Sequence, residues 1–220
     1  MMTIMPRIAS FEKYSTEYDD WFLTHEDVYR AELRAVQETV SCNQFGVEIG
    51  IGTARFAIPL GITIGLDPSM KMAEFSKNRG IQMIIGVAEQ LPFHDSTFDC
   101  VLMCTTLCFL DDVVKSLNEA HRILRNHGVL VVGFIDKNSR LGRQYQLKKQ
   151  KSRFYQDAIF YSVDEIRGLL QKTHFMVDCI KQTIIPGQSD AVDRVEDGYG
   201  KGSFVVIKAL KSEKPWSNKR

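Results

Sequence analysis

VEIGIGTARFAIPLGITIGLD, residues 47 to 67, decides how this chain reads. An apolar run leads into an acidic residue and glycines, and a second apolar run ends at Asp67, nineteen residues beyond Glu48. Gly50 and Gly52 allow a sharp turn and a close backbone approach that a Cβ would obstruct. A carboxylate in the place of Asp67 can accept hydrogen bonds from a ribose diol. The stretch therefore reads as a nucleoside cofactor site. A dinucleotide fingerprint places a third glycine at G-x-G-x-x-G, and counting from Gly50 that place is Arg55, whose bulk opposes a pyrophosphate packed on the helix. No Gly-Lys pair follows the glycines, so the phosphate loop of ATP-hydrolysing enzymes is absent as well. Glu48 stands just ahead of the glycines in a site short of phosphate-binding groups, which suits a ligand bearing an ammonium group.

Working outward, short apolar runs at Phe45–Ile49, Ile62–Leu66, Gln82–Ile85, Cys100–Met103 and Val129–Ile135 read as strands alternating with helical patterns. That alternation predicts right-handed βαβ units around a parallel sheet. Two amphipathic helical stretches, Phe11–Leu23 and Tyr29–Val40, precede the sheet and could cover it. Between the last two strands, Val113, Leu117, Ala120 and Leu124 share one helix face, with Asp111 or Asp112 as cap and Gly128 as stop. Ser162 and Glu165 form a capping-box pattern for a helix over Val163–Lys172, with Tyr161 and Ile166 placed as its hydrophobic staple. Met176–Ile185 and Ser203–Leu210 read as a terminal hairpin joined by a long polar loop, followed by a frayed tail.

With 220 residues, 44% of them hydrophobic, the chain suits one domain with a sizeable core. Lysine and arginine (28) nearly balance aspartate and glutamate (27), so the overall field gives no reason to expect nucleic acid as a partner. The first residues lack a charged region followed by a long apolar one, and no segment approaches a membrane span; a soluble cytoplasmic protein is expected, with no membrane partner. Cys100, Cys104 and Cys108 lie in an apolar run without a CxxC pair, which favours buried thiols over a metal.

The stretches VEIGIGTARF, GLDPSMKM, GVAEQLPFHDSTFDCVLM and EAHRILRNHGVLVVGF resemble the successive motifs of class I S-adenosylmethionine-dependent methyltransferases, nearest to the small-molecule group that includes quinone-biosynthesis enzymes. The resemblance runs from about Tyr14 to Phe175. It implies an α/β, Rossmann-like three-layer sandwich with a mostly parallel seven-stranded sheet, an antiparallel C-terminal hairpin strand and N-terminal lid helices. It also implies a single domain: a helical lid over 1–42, a cofactor-binding core over 43–136, an acceptor-side helical insert over 137–161, a helix and hairpin over 162–210, and a tail over 211–220. S-adenosyl-L-methionine is the implied cofactor. On this resemblance Glu48 faces the methionine ammonium, Gly50 and Gly52 let the backbone approach, and Asp67 holds the ribose hydroxyls. Pro68 lies against adenine with Met72 behind it, Ala88 offers its backbone N–H to the ring beside Glu89, and Cys104 lines the methionine side through its backbone. Two positions depart from the family: Ala54 replaces a frequent third glycine, and Val87 replaces the aspartate that usually receives the adenine amino group. Either Glu89 substitutes for that aspartate, or stacking and Ala88 hold the ring.

Methyl transfer from a sulfonium is an in-line displacement, so alignment is the main task and can account for about 7–11 kcal/mol of the barrier. No universal catalytic residue is required. Where an acceptor must lose a proton, the candidates are Asp136 after the fifth strand, His174 after the Val163 helix, and the hydroxyls of Tyr14 and Tyr18, with His25 near the lid. Each has a structural alternative as cap, helix-end cation, core or surface residue. Residues 137 to 153 carry seven basic residues and no acidic one, whereas the loop from 186 to 202 is acidic, so acceptor charge stays open. MCTTL after the fourth strand lacks the Asn/Asp-Pro-Pro-aromatic run of enzymes that methylate DNA bases or glutamine amides. Clustered carboxylate ligands for magnesium are not evident either. A small-molecule acceptor is the expected partner. A nicotinamide-dependent oxidoreductase and a non-catalytic cofactor-binding domain are the competing classes.

Overall fold

The computed structural model describes residues 7–40, 45–184 and 194–212. Its elements run in the order α1 (Ala9–Lys13), α2 (Ser15–Thr24), α3 (Glu26–Gln37), β1 (Gly46–Ile49), β2 (Ile64–Asp67), α4 (Met70–Asn78), β3 (Gln82–Ile85), β4 (Phe98–Cys104), α5 (Val113–Ile123), β5 (Leu124–Ile135), α6 (Arg140–Lys148), α7 (Val163–Lys172), β6 (Phe175–Ile184), β7 (Arg194–Asp197) and β8 (Phe204–Lys211). One sheet collects all eight strands in the order β3-β2-β1-β4-β5-β8-β6-β7. The first five are parallel, β8 is antiparallel to both β5 and β6, and β7 is antiparallel to β6.

Strand periodicity sorts side chains onto the two faces. Val47, Ile49, Val101, Met103, Leu130 and Val132 join a core with Leu117 and Ile123 of α5 and Ile166 and Leu170 of α7. The alternate residues Cys100, Leu102, Cys104, Val129 and Val131 join a second core with Phe22 of α2 and Ala35 and Val36 of α3. Both faces of the central strands are therefore dry, as a parallel sheet between two helical layers requires. The three-layer α/β architecture is as the sequence implied.

Side-chain caps fix the helix starts. Ser69 accepts from the N–H of Met72 to open α4, and Asp112, not Asp111, accepts from Lys115 to open α5. Ser162 and Glu165 complete a reciprocal capping box at α7, and Tyr161 packs against the same core as Ile166.

Three expectations need correction. The sheet has eight strands rather than seven, because Arg194–Asp197 adds an edge strand inside the supposed loop; with three polar residues in four, it carries no apolar alternation. The remainder of that loop before Arg194, and the tail from residue 213, lie outside the described residues. The first lid helix is broken at Tyr14, whose φ of −123° and ψ of 35° are non-helical, into α1 and α2. Gly128 does not stop α5: that helix ends at Ile123, β5 starts at Leu124, and His127 takes the left-handed conformation with φ 63°. The ladder between β4 and β5 shifts register there, from Phe98 opposite Leu124 to Cys100 opposite Val129.

Candidate functional site

The sheet order reverses at β1, which is flanked by β2 and β4, and open α/β sheets bind ligands at the carboxyl ends of strands beside such a switch point. A cleft lies there, walled by the β1 turn, the ends of β2 and β4, and the lid residues Arg7, Ile8 and Phe11. Of the predicted cofactor residues, Gly50, Gly52, Asp67, Pro68, Met72, Ala88 and Glu89 all line it, as does Val87.

The glycine turn is locked by its neighbours. Gly50 and Gly52 have φ of 69° and 56°, and Ala54 follows at 63°, so the third position of the turn keeps the left-handed conformation with an alanine. A Cβ on Gly50 would lie 2.4 Å from Cγ2 of Thr106, whose hydroxyl reaches the carbonyls of Ile49 at 3.1 Å and Cys104 at 3.0 Å. Asp67 Oδ2 accepts the N–H of Gly52 and Oδ1 that of Ser69, both at 2.9 Å. Burial pushes the Asp67 carboxyl up to about 6, against the pull of those two N–H groups. Glu89 is engaged through one oxygen: its Oε1 accepts from the backbone N–H groups of Asp111 and Asp112 at 2.9 and 3.2 Å.

Two predicted residues do not open onto the cleft. Val47 and Ile49 face one core, so period-two alternation turns the Glu48 side chain to the other sheet face. There it is 1% exposed with Oε2 lacking a hydrogen-bond partner, and burial drives its carboxyl well above the ordinary range. Cys104 is also buried off the cleft, its thiol raised by burial; Thr105 and Thr106 take the lining place expected of it.

The candidate bases separate clearly. Asp136 is 3% exposed and lines neither this cleft nor the chamber described next; its Oδ1 accepts from Asn138 in a tight turn, while Ser139 caps α6. His174, with φ 64°, lies beside α7 and Ser212 in a separate surface depression. His25 stacks on Trp21 at the end of α2. Tyr14 packs edge-on to Phe154 between the cations of Lys13 and Arg153. Tyr18 alone among them lines the cleft, and burial raises its hydroxyl far above the ordinary phenol value while a hydrogen bond with Thr105 opposes the shift.

Beyond Tyr18 lies a second chamber, roofed by α1, α2 and α3 and walled by Phe56, Leu141, Tyr145, Phe154 and Tyr155. Phe11, Tyr18, Thr105 and Phe109 border both spaces. Thr105 holds that junction with φ 53°, a conformation β-branched residues seldom adopt, and its N–H donates to the Gly133 carbonyl at 2.7 Å. The lid is fastened to the core beside the chamber. Asp19 of α2 accepts two hydrogen bonds from Arg55 (2.8 and 2.6 Å) and two from Arg79 (2.8 and 2.6 Å).

Residues 47–132 match a methyltransferase domain family. The chain superimposes with a TM-score of 0.89 on the crystal structure of an S-adenosylmethionine-dependent methyltransferase from Thermotoga maritima, described as a possible histamine N-methyltransferase. That protein is 44% identical, over 93% of this chain and 100% of its own. The chain belongs to the S-adenosylmethionine-dependent methyltransferases. An uncharacterised protein of Methanocaldococcus jannaschii is also 44% identical, over 91% of this chain and 98% of its own. Demethylmenaquinone methyltransferase of Staphylococcus epidermidis is 34% identical over 55% of this chain and 56% of its own length.

The cleft fits the family's cofactor, S-adenosylmethionine. Its lining carries the carboxylates Asp67, Glu89 and Asp111 against the single cation Arg7 among the described residues, a balance that suits a sulfonium and an ammonium rather than a pyrophosphate. The left-handed glycines leave space that a Cβ would fill: at Gly52 it would stand 3.4 to 3.5 Å from the Tyr18 ring and hydroxyl.

Proposed function

We propose that this methyltransferase moves the S-adenosylmethionine methyl group to a small molecule held in the aromatic chamber, by in-line displacement. The observation that carries this reading is the shared border: Phe11, Tyr18, Thr105 and Phe109 wall both spaces, so a ligand in each can meet there. When bound, the cofactor supplies a sulfonium-activated methyl group.

The chain's own residues bind, orient and exclude water. Asp67, preset by Gly52 and Ser69, offers its remaining lone pairs to the ribose hydroxyls. Gly50, Gly52 and Thr106 form the wall toward the methionine end, while Pro68, Met72, Val87 and Ala88 surround the adenine. Val87 cannot accept from the adenine amino group, and Glu89 Oε1 already holds two N–H groups, so apolar contact, the Ala88 N–H and the remaining Glu89 oxygen are what this wall offers the adenine. The lid aromatics keep the junction dry, which strips water from the nucleophile. Asp136 and His174 have no part in this arrangement, and among the candidate side chains only Tyr18 reaches the junction. Its strongly raised pKa keeps it a neutral hydrogen-bond donor, able to orient an acceptor rather than deprotonate it.

Calorimetric titration tests the cofactor assignment. S-adenosylmethionine and S-adenosylhomocysteine are expected to bind at one site per chain and NAD not at all. Binding of NAD alone would overturn it.

A further inference from the structure

One charged side chain intrudes on the aromatic chamber. Glu32 of α3 lines it and is 6% exposed; among the described residues its carboxylate has neither a hydrogen-bond nor an ion-pair partner. Among the described residues no other member of the chamber lining carries a formal charge, and nine of the lining side chains are aromatic. The guanidinium of Arg55, 5.7 Å from the centroid of the chamber-lining Phe22 ring, is tied to Asp19.

We infer that the chamber selects a small amine with an apolar body, and that the Glu32 carboxylate is the counter-charge that recognises its ammonium group; this rests on the chamber being the acceptor site. Three physical arguments support it. An isolated buried carboxylate is strongly disfavoured unless a cation joins it, and a lone cationic ligand restores the pairing that the described residues leave out. The faces of Tyr, Trp and Phe rings attract cations, so a wall of rings around one carboxylate favours an ammonium over a neutral group. An anionic acceptor would find no cation among the described lining residues and would meet like charge wherever Glu32 is ionised, which disfavours that class. Burial alone pushes the Glu32 carboxyl up to about 8, so the free group is held protonated near neutral pH and an ammonium joining it favours the ionised form. Its charge is felt by Tyr145 and Tyr155 of the wall and by Cys104 below, all three raised by burial first and by Glu32 in addition. The basic run from residue 137 bears on acceptor charge less than its composition suggested: Lys137 pairs with Glu165, Arg153 lies over Tyr14, and only Leu141 and Tyr145 of α6 line the chamber.

The test is binding of defined probes to the full chain saturated with S-adenosylhomocysteine, read by calorimetry: 2-phenylethylamine, 2-phenylethanol and phenylacetate, then tryptamine and tryptophol. At least one amine is expected to bind tenfold or more tightly than its alcohol, with phenylacetate weakest. In Glu32→Gln, amine and alcohol should bind within about twofold of each other while the S-adenosylhomocysteine affinity is unchanged, which also shows the fold intact. Glu32→Asp should retain part of the preference. An alcohol or phenylacetate that binds as tightly as the amine, a preference that survives Glu32→Gln, or an absence of binding by both amines would overturn the inference. Should S-adenosylhomocysteine itself fail to bind the wild-type chain, the cofactor assignment fails, and the same amine and alcohol titrations without it still decide the role of Glu32.

Discussion

The Asp67 carboxylate holds the N–H of Gly52 at 2.9 Å, so the group proposed to receive the ribose also shapes the turn that faces the methionine end. Two functions assigned to separate motifs thus meet in one side chain. Asp67→Asn keeps the volume but turns an amide NH₂ toward one of its N–H partners. Hydrogen bonds to a carboxylate contribute about 1.5–3 kcal/mol, so cofactor affinity should fall about 10- to 100-fold. Because the free carboxyl titrates at about 6, wild-type affinity should also weaken as pH falls through that value, whereas the Asn variant should show no such step. Titration calorimetry at pH 5 and 7.5 checks both; unchanged affinity in the variant would remove Asp67 from the site.

Gly50 and Thr106 make a second pair to test. Alanine at position 50 must adopt φ 69° and also meet Thr106 Cγ2 at 2.4 Å and Oγ1 at 2.5 Å. The left-handed conformation costs about 1–2 kcal/mol and the overpacking about 1–3 kcal/mol more. Thr106→Ala removes the two closest atoms and leaves Cβ at 3.0 Å. In that background the Gly50→Ala penalty should shrink toward its conformational part, a coupling measurable by urea denaturation of the four variants. Additive penalties would show that the collision is not what excludes a side chain here.

These contacts mark the limit of what the sequence discloses. The glycines, Asp67 and the β–α alternation are legible because each depends on neighbours a few residues away, as does the capping box at Ser162. Thr106 acts on Gly50 across 56 residues, and nothing in MCTTL announces it. Glu48 lies off the cleft for a reason the motif does not disclose: adjacency to glycines does not give direction, whereas the apolar pair Val47 and Ile49 on either side does. A signal for Glu32 existed in VYRAELRAVQ. Val28, Ala35 and Val36 stand at helical offsets of four, three and four from it, placing a glutamate on the buried face of α3. The Asp19 clamp had none, since its two arginines come from different loops and helices.

That clamp predicts the lid's stability. Asp19 is 8% exposed at its side chain and carries the hydrogen bonds of both Arg55 and Arg79, which hold its carboxyl far below the ordinary range despite opposing desolvation. Asp19→Ala leaves two partly buried guanidiniums side by side, and removing one member of a buried pair costs about 3–5 kcal/mol, less here because both arginines reach solvent. A loss of about 2–3 kcal/mol is expected, with most of it recovered neither by salt nor by cofactor. Since the folded carboxyl lies below its unfolded value, this stabilisation is present above about pH 4 and is lost on acidification below it. Denaturant melts of Asp19→Ala, Arg79→Ala and the double variant should show strong coupling; additivity would mean that the pair contributes nothing.

Other buried carboxyls drive stability in the opposite sense. Glu32 is raised to about 8 and Asp67 to about 6, and Glu48 lies well above its ordinary range, all chiefly through burial. Each favours folding most when protonated, so its penalty begins as pH rises past the unfolded value near 4 and is complete only above the folded one. The ligand-free protein should therefore melt at lower temperature at pH 8.5 than at pH 5. One pKa unit corresponds to about 1.4 kcal/mol, so the shift of Glu32 alone sets an upper bound of about 5 kcal/mol. Glu32→Gln removes that charge without changing the volume. Its melting temperature should exceed wild type by several degrees at pH 8.5 and match it closely at pH 5. A gain of equal size at both pH values would point to packing rather than to charge, and a wild-type melting temperature that rises between them would show that these carboxyls do not set the alkaline limit.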